Sequence, residues 1–162
     1  MKTNYDDWSK KDLIKELKKF KNRKKYGIVW EDKPEDVVKL CKEKLPVLKE
    51  IKQKEIFTDK KNPMNVLIEG DNYHALSVLN FTHKGKIDLI YIDPPFNTGT
   101  NTWLYNNDYV EKDDLFRHSK WLSFMEKRLK LSKKLLKKNG SLIIAIDDYE
   151  VHQLGLLLEE IF

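Results

Sequence analysis

Ile87-Asp88-Leu89-Ile90-Tyr91-Ile92-Asp93-Pro94-Pro95-Phe96-Asn97-Thr98-Gly99 is the stretch that decides how this chain is read. Apolar residues run from Ile87 to Ile92 with one charged interruption, the pattern of a buried parallel strand. Pro94 and Pro95 cannot extend a hydrogen-bond ladder, so the chain leaves the sheet there and holds Asp93 at the carboxyl end of the strand. In open α/β sheets, ligands bind beside those strand ends.

Outward from this strand the pattern alternates between strand and helix. Asn65–Glu69 reads as a first strand and Gly70-Asp71-Asn72 as a turn. Ala75, Leu76, Val78 and Leu79 mark one face of a helix that Lys84-Gly85-Lys86 breaks. A right-handed crossover in this βαβ unit places Asp71 and Asp93 at the same rim. Asp71 has two readings, a cap on the following helix or a ligand contact. Between Asn97 and His118 no periodicity is visible, and so long a connection is usually functional. Its Trp103, Tyr105, Tyr109 and Phe116 either handle a base or tuck under the loop as a satellite core, and Asn97 to Gly99 can present backbone donors. Ser119 is positioned to cap a helix whose stripe of Trp121, Leu122, Met125, Leu129, Ser132 and Leu136 reads as core; Asn139-Gly140 stops it. Ser141–Ile146 reads as a third strand, followed by an Asp147-to-Glu150 capping-box spacing and a helix carrying Val151, Leu154, Leu157, Leu158 and Ile161.

Residues 1–62 read as a separate helical, basic N-terminal region, and 63–162 as part of a catalytic domain. Ser9 caps a helix with Leu13, Leu17 and Phe20 on one face. Lys18, Lys19, Lys21, Arg23, Lys24 and Lys25 form the densest positive run, either a phosphate-binding face or merely a solvated one. Pro34 starts a second helix that Pro46 ends or kinks; Val47, Leu48 and Ile51 can continue it as a further helical piece, and Thr58–Pro63 reads as a polar linker. A net charge of +5 and a sequence pI near 9.0 suit a polyanionic partner such as DNA. Cys41 is the single cysteine, which points to a reducing compartment without disulfides or cysteine-bound metal. The four histidines lack paired metal-ligand spacing, and no membrane span or signal-peptide core is visible, so a cytoplasmic protein is expected.

The chemistry of Asp93-Pro94-Pro95-Phe96 is specific. The exocyclic amine of a nucleobase is a weak nucleophile. A carboxylate accepting one N–H and a rigid carbonyl accepting the other favour charge developing on nitrogen, and an aromatic face can stack on a flipped base. The tetrapeptide resembles the Asp-Pro-Pro-Tyr/Phe motif of amino-methylating DNA methyltransferases, and its leading Asp resembles the adenine-N6 enzymes more than the cytosine-N4 enzymes. Pro94-Pro95-Phe96-Asn97-Thr98-Gly99, Tyr105-Asn106-Asn107-Asp108, Ser119-Lys120-Trp121-Leu122 through Arg128-Leu129, and Gly140 to Asp148 resemble, in order, the modification subunit of type III restriction systems.

That resemblance implies a Rossmann-like α/β fold with S-adenosylmethionine as methyl donor and double-stranded DNA as substrate. It implies catalytic roles for Asp93, Pro94, Pro95 and Phe96, and donor contacts at Asp71, Asn72 and Asp93. In the family, the glycine-rich donor loop and the target-recognition region follow the segment matched here, and no two of the six glycines lie close enough to form such a loop. The expectation is therefore the N-terminal part of an adenine-N6 methyltransferase with an incomplete sheet, truncated or split, whose partners are a completing C-terminal methyltransferase chain and a restriction subunit. The alternative is a catalytically inactive module that binds DNA or a partner.

Overall fold

The computed structural model describes residues 8–21, 27–56 and 63–162. Arg23, Lys24 and Lys25 of the basic run, the side chains of Phe20 and Lys21, and residues 58–62 of the expected linker lie outside the described residues. In chain order the elements are α1 (Lys10–Lys21), α2 (Asp36–Glu43), α3 (Asn72–Thr82), β1 (Ile87–Ile92), β2 (Thr100–Tyr105), β3 (Asp108–Glu111), α4 (Arg117–Leu135), β4 (Leu136–Ile144) and α5 (Val151–Ile161). The result is a mixed α/β arrangement with two small sheets.

β1 and β4 pair in parallel, with Leu89 opposite Ser141, Ile90 opposite Leu142, Tyr91 opposite Ile143 and Ile92 opposite Ile144. A bulge separates this register from the Ile87–Leu136 pair. Gly140 lies in the bulge, where a Cβ would stand 3.0 Å from the Ile87 carbonyl oxygen and 3.1 Å from that of Lys137, so any side chain there would crowd both carbonyls. Because strand side chains alternate between faces, Ile92, Leu142 and Ile144 point to one side. There they meet Trp121, Met125 and Leu129 of α4 and Leu154 and Leu157 of α5. Leu89 and Tyr91 point the other way and are 54% and 65% exposed. β1 is thus covered on one face only, whereas its continuous apolar pattern predicts burial on both.

No strand forms at Asn65–Glu69, and Leu67 is 95% exposed. A strand needs a ladder partner for its backbone groups, and among the described residues none pairs with this segment. The stretch from 97 to 118 holds more order than its composition suggests. β2 and β3 form an antiparallel hairpin around Asn106 and Asn107, whose φ values of 52° and 69° are the left-handed pair a two-residue hairpin turn demands. Trp103 and Tyr105 are buried in the core, as a satellite core requires, while Tyr109 and Phe116 are exposed.

Four cap and helix expectations change. α4 ends at Leu135, and Leu136 and Asn139-Gly140, read as its last stripe residue and its stop, lie in β4. Ser119 lies inside α4, which starts at Arg117 after Asp114 Oδ1 accepts the Phe116 N–H at 2.8 Å. Asp147 accepts the Tyr149 N–H at 3.0 Å in a local turn, and Glu150 points inward without forming a capping box. After Pro46 a 3₁₀ turn at Lys52–Lys54 is the only helical piece between α2 and residue 56. By contrast, Ser9 does cap α1 through the Asp12 N–H at 3.2 Å, although Leu13 and Leu17 of that helix stay exposed.

Residues 31–36 are sewn to the domain that follows. The Lys33 N–H donates to Ser123 Oγ at 3.0 Å, the Tyr105 hydroxyl donates to the Lys33 carbonyl at 2.6 Å, and Asp36 N–H donates to Asn106 Oδ1 at 2.9 Å. Beneath them the buried Glu35 carboxylate meets Arg128 Nη1 at 2.8 Å. No helix of the described residues is long and apolar enough to cross a membrane.

Candidate active site at the carboxyl end of β1

The loop Asp93–Asn97 leaves β1 with free and fixed groups in alternation. Asp93 is exposed, and among the described residues nothing bonds its carboxylate or the Pro94 carbonyl. The next carbonyl is held: the indole N–H of Trp121, a residue with no exposed surface, donates to the Pro95 oxygen at 2.6 Å. Phe96 presents its ring at the surface. Asn97 is fixed again, fully buried with a φ of 60°, a left-handed conformation that Asn tolerates better than most residues.

The Asn97 side chain is committed on both sides. Trp103 Nε1 donates to its Oδ1 at 3.2 Å, and its Nδ2 donates to Glu150 Oε1 at 2.5 Å. Glu150 is also fully buried, and its Oε1 is 2.6 Å from His118 Nδ1. Burial pushes the Glu150 carboxyl above its ordinary range, against the opposing pull of Asn97, His118 and Arg117. Two residues on, Gly99 has a φ of 78° and packs so tightly that a Cβ would stand 2.6 Å from Lys112 Cα, which locks the loop to the end of β3.

Asp71 lies elsewhere. Its Oδ1 caps α3 by accepting the Tyr73 N–H at 2.7 Å, and its Oδ2 stands 3.7 Å from Arg128 Nη2. Asn72 is the first residue of α3 and is exposed. Asp71 borders a cleft of about 350 Å³ with Ile68, Gly70, His74, Ala75 and Val78; residues 93–96 do not line it. The structure therefore gathers Asp93 to Phe96 in one loop, and sets Asp71 at a separate cleft that Asn72, the next residue, does not line.

The residues that support the loop escaped the sequence pattern. Trp121 reads as one member of an apolar stripe, Glu150 as a cap and His118 as a lone histidine. Glu150 reaches Asn97 across 53 positions and His118 across 32, separations over which no periodicity speaks.

Residues 87–162 match the family described as DNA methylase. Over a wider span the chain is similar to the modification subunits of type III restriction-modification enzymes. It is 38% identical over 127 residues to the EcoPI Mod subunit of Escherichia phage P1, covering 64% of this chain and 20% of that protein. It is likewise 38% identical over 125 residues to the StyLTI Mod subunit of Salmonella typhimurium, covering 64% and 19%. The type II methyltransferase M.KpnI of Klebsiella pneumoniae is 42% identical over 94 residues, covering 57% of this chain and 22% of its own length. The chain thus spans about a fifth of the length of these relatives.

Proposed function

We propose that the chain is a portion of a modification subunit that methylates adenine N6 in double-stranded DNA. The observation that carries this reading is the pair of unengaged acceptors, the Asp93 carboxylate and the Pro94 carbonyl, on a loop whose Pro95 carbonyl and Asn97 side chain are fixed. Asp93 accepts one N–H of the target amine and Pro94 the other, so electron density rises on the nitrogen as it reacts. Two adjacent prolines lock two φ angles and hold that carbonyl still. The exposed face of Phe96 stacks on the extruded base.

S-adenosylmethionine supplies an electrophilic methyl group carried on a sulfonium. The cleft at Asp71 fits its adenosyl end: Ile68, Ala75 and Val78 give an apolar wall, and the Asp71 carboxylate stands at the edge. Asp71 would hold the donor there, with Asn72 beside it at the first position of α3 and Asp93 at the donor's reacting end. Further strands laid against the β1–β4 pair would cover Leu89, Tyr91 and Ile143 and give the Rossmann-like sheet of a complete enzyme. A completing C-terminal methyltransferase chain is the partner of that chemistry. A restriction subunit is proposed on the likeness to Mod subunits alone, and a cytoplasmic location follows from action on DNA.

The test is methyl transfer to adenine-containing duplex DNA, by the chain alone and with a supplied C-terminal half that carries a glycine-rich motif. N6-methyladenine in either arm, lost with Asp93→Ala, is the expected result. An active Asp93→Ala protein, or N4-methylcytosine as product, would overturn the assignment. No methylation in either arm favours a module that only binds DNA or a partner.

A further inference from the structure

We propose that Glu150 is a positioning residue for the Asp93–Phe96 loop, acting through the side chain of Asn97 and braced by His118. The proposal rests on the reading of that loop as the one that binds the target amine.

A carboxylate with no exposed surface is costly unless its bonds are made. Glu150 occupies the residue before α5, where a side chain ordinarily caps the helix, yet it makes no capping bond. Its Oε1 serves Asn97 and His118, and its Oε2 has no partner. The sequence therefore buries a carboxyl group at this position that makes no side-chain bond to its own helix. What gains is Asn97. An indole N–H can only donate, so Trp103 fixes which end of the Asn97 amide carries oxygen, and Nδ2 must face the carboxylate. The amide cannot flip without losing both bonds.

This matters because Asn97 adjoins Phe96 in the chain. Pro94 and Pro95 each have φ locked by their rings. With few free dihedrals left, two clamps set the aim of the free acceptors: Trp121 on the Pro95 carbonyl, and Glu150 with Trp103 on Asn97. His118 Nδ1 steadies the carboxylate from the first turn of α4, the helix that also supplies Trp121. α4 thus supplies Trp121 to one clamp and the His118 brace to the other.

The test reads the indole N–H groups of Trp121 and Trp103 by NMR in the whole chain, without DNA or donor. Glu150→Gln keeps volume and removes the charge; Asn97→Gly keeps the left-handed backbone and removes the bridge. With far-UV circular dichroism unchanged, either variant is expected to speed solvent exchange of the Trp121 indole about tenfold, the scale of one lost charge-assisted hydrogen bond, and to shift the Trp103 resonance. Trp121 exchange within about twofold of wild type in both variants would overturn the proposal. So would loss of the fold in both, which would make Glu150 a core group and not a positioning one. Where the supplemented protein methylates DNA, Glu150→Gln lowers kcat and leaves KM for DNA unchanged. A wild-type protein that transfers no methyl group defeats the reading of the loop, while the indole result still decides whether Glu150 positions it.

Discussion

Arg128→Ala should be the most damaging single change outside the apolar core, because of what it leaves behind. The guanidinium stands 2.8 Å from Glu35 Oε2, with side-chain exposures of 9% and 4%. Its Cζ also stands 3.7 Å from the centroid of the Phe124 ring. Truncation strands a carboxylate where water barely reaches, and breaking such a pair from one side costs about 3–5 kcal/mol. Lys127 Nζ, 3.6 Å from the other Glu35 oxygen, remains to offset part of the charge, so the expected loss is near the lower bound, about 3 kcal/mol. The pair is itself imperfect, since Glu35 Oε1 and Arg128 Nε lack hydrogen-bond partners. Replacing both sides, as Glu35→Gln with Arg128→Met, should therefore recover about half of that loss or more. Urea unfolding measures each value, provided the m-value stays constant. Limited proteolysis should show residues 31–43 cut earlier in Arg128→Ala, because the Glu35 anchor is gone. A loss below about 1 kcal/mol with an unchanged m-value would refute the argument that this pair is desolvated.

Asp93→Ala should leave urea stability within about 0.5 kcal/mol of wild type, because the exposed carboxylate has no partner to lose, while it abolishes methyl transfer. Asp71→Ala should cost about 1 kcal/mol through the lost cap on α3; Asp71→Ser keeps an N-cap without the charge, so calorimetry with S-adenosylmethionine should show donor binding lost in both if the carboxylate contacts the donor. Gly99→Ala should destabilise by about 2 kcal/mol or more, since its backbone is left-handed and the added methyl meets Lys112, visible as a lower urea midpoint. Burial raises the Glu150 carboxyl, with Asn97, His118 and Arg117 facing it, so the folded state holds that proton more tightly than the unfolded chain. The contribution is complete below the ordinary carboxyl value of 4.5 and is lost as pH rises through the raised folded value. The stability of wild type relative to Glu150→Gln should fall across that range.

The parts of the fold that were legible in the sequence are those written in local period or local chemistry. The β1 run, the proline break after Asp93, the α4 stripe from Trp121 to Ser132 and the third strand over Ser141–Ile144 appear in the structure, because each depends on residues close in the chain; Leu136, read as helix, starts β4 instead, and Ala145 and Ile146, read as strand, lie beyond it. The hairpin was legible in principle. Asn106-Asn107 carries the left-handed turn, but it was hidden among polar residues that also read as loop. Segment 65–69 went the other way: Val66, Leu67 and Ile68 have strand propensity, and propensity without a ladder partner makes no strand. At the site, Asp93 to Phe96 could be read because the chemistry is contiguous. Trp121, Asn97 and Glu150 could not, because a buried polar clamp takes its meaning from partners brought together only by folding.

α4 ties these observations together by acting as a ruler. Trp121 fixes the Pro95 carbonyl, and Arg128, seven residues later, reaches Asp71 at the start of α3. Seven residues of α-helix are two turns, about 10 Å along the axis, and positions seven apart lie on nearly the same face. The acceptor loop and the capped turn at Asp71 are therefore referenced to two points on one rigid rod, although residues 93–96 do not line the cleft at Asp71. Glu35 shares Arg128 with Asp71, so the segment that precedes the α/β unit bears on the same turn. In the proposed enzyme, the separation between the amine-binding loop and the donor's adenosyl end is set by the helix, not by the sheet. The two halves of the proposed site would then keep a fixed separation with only the β1–β4 pair and α4 to support them.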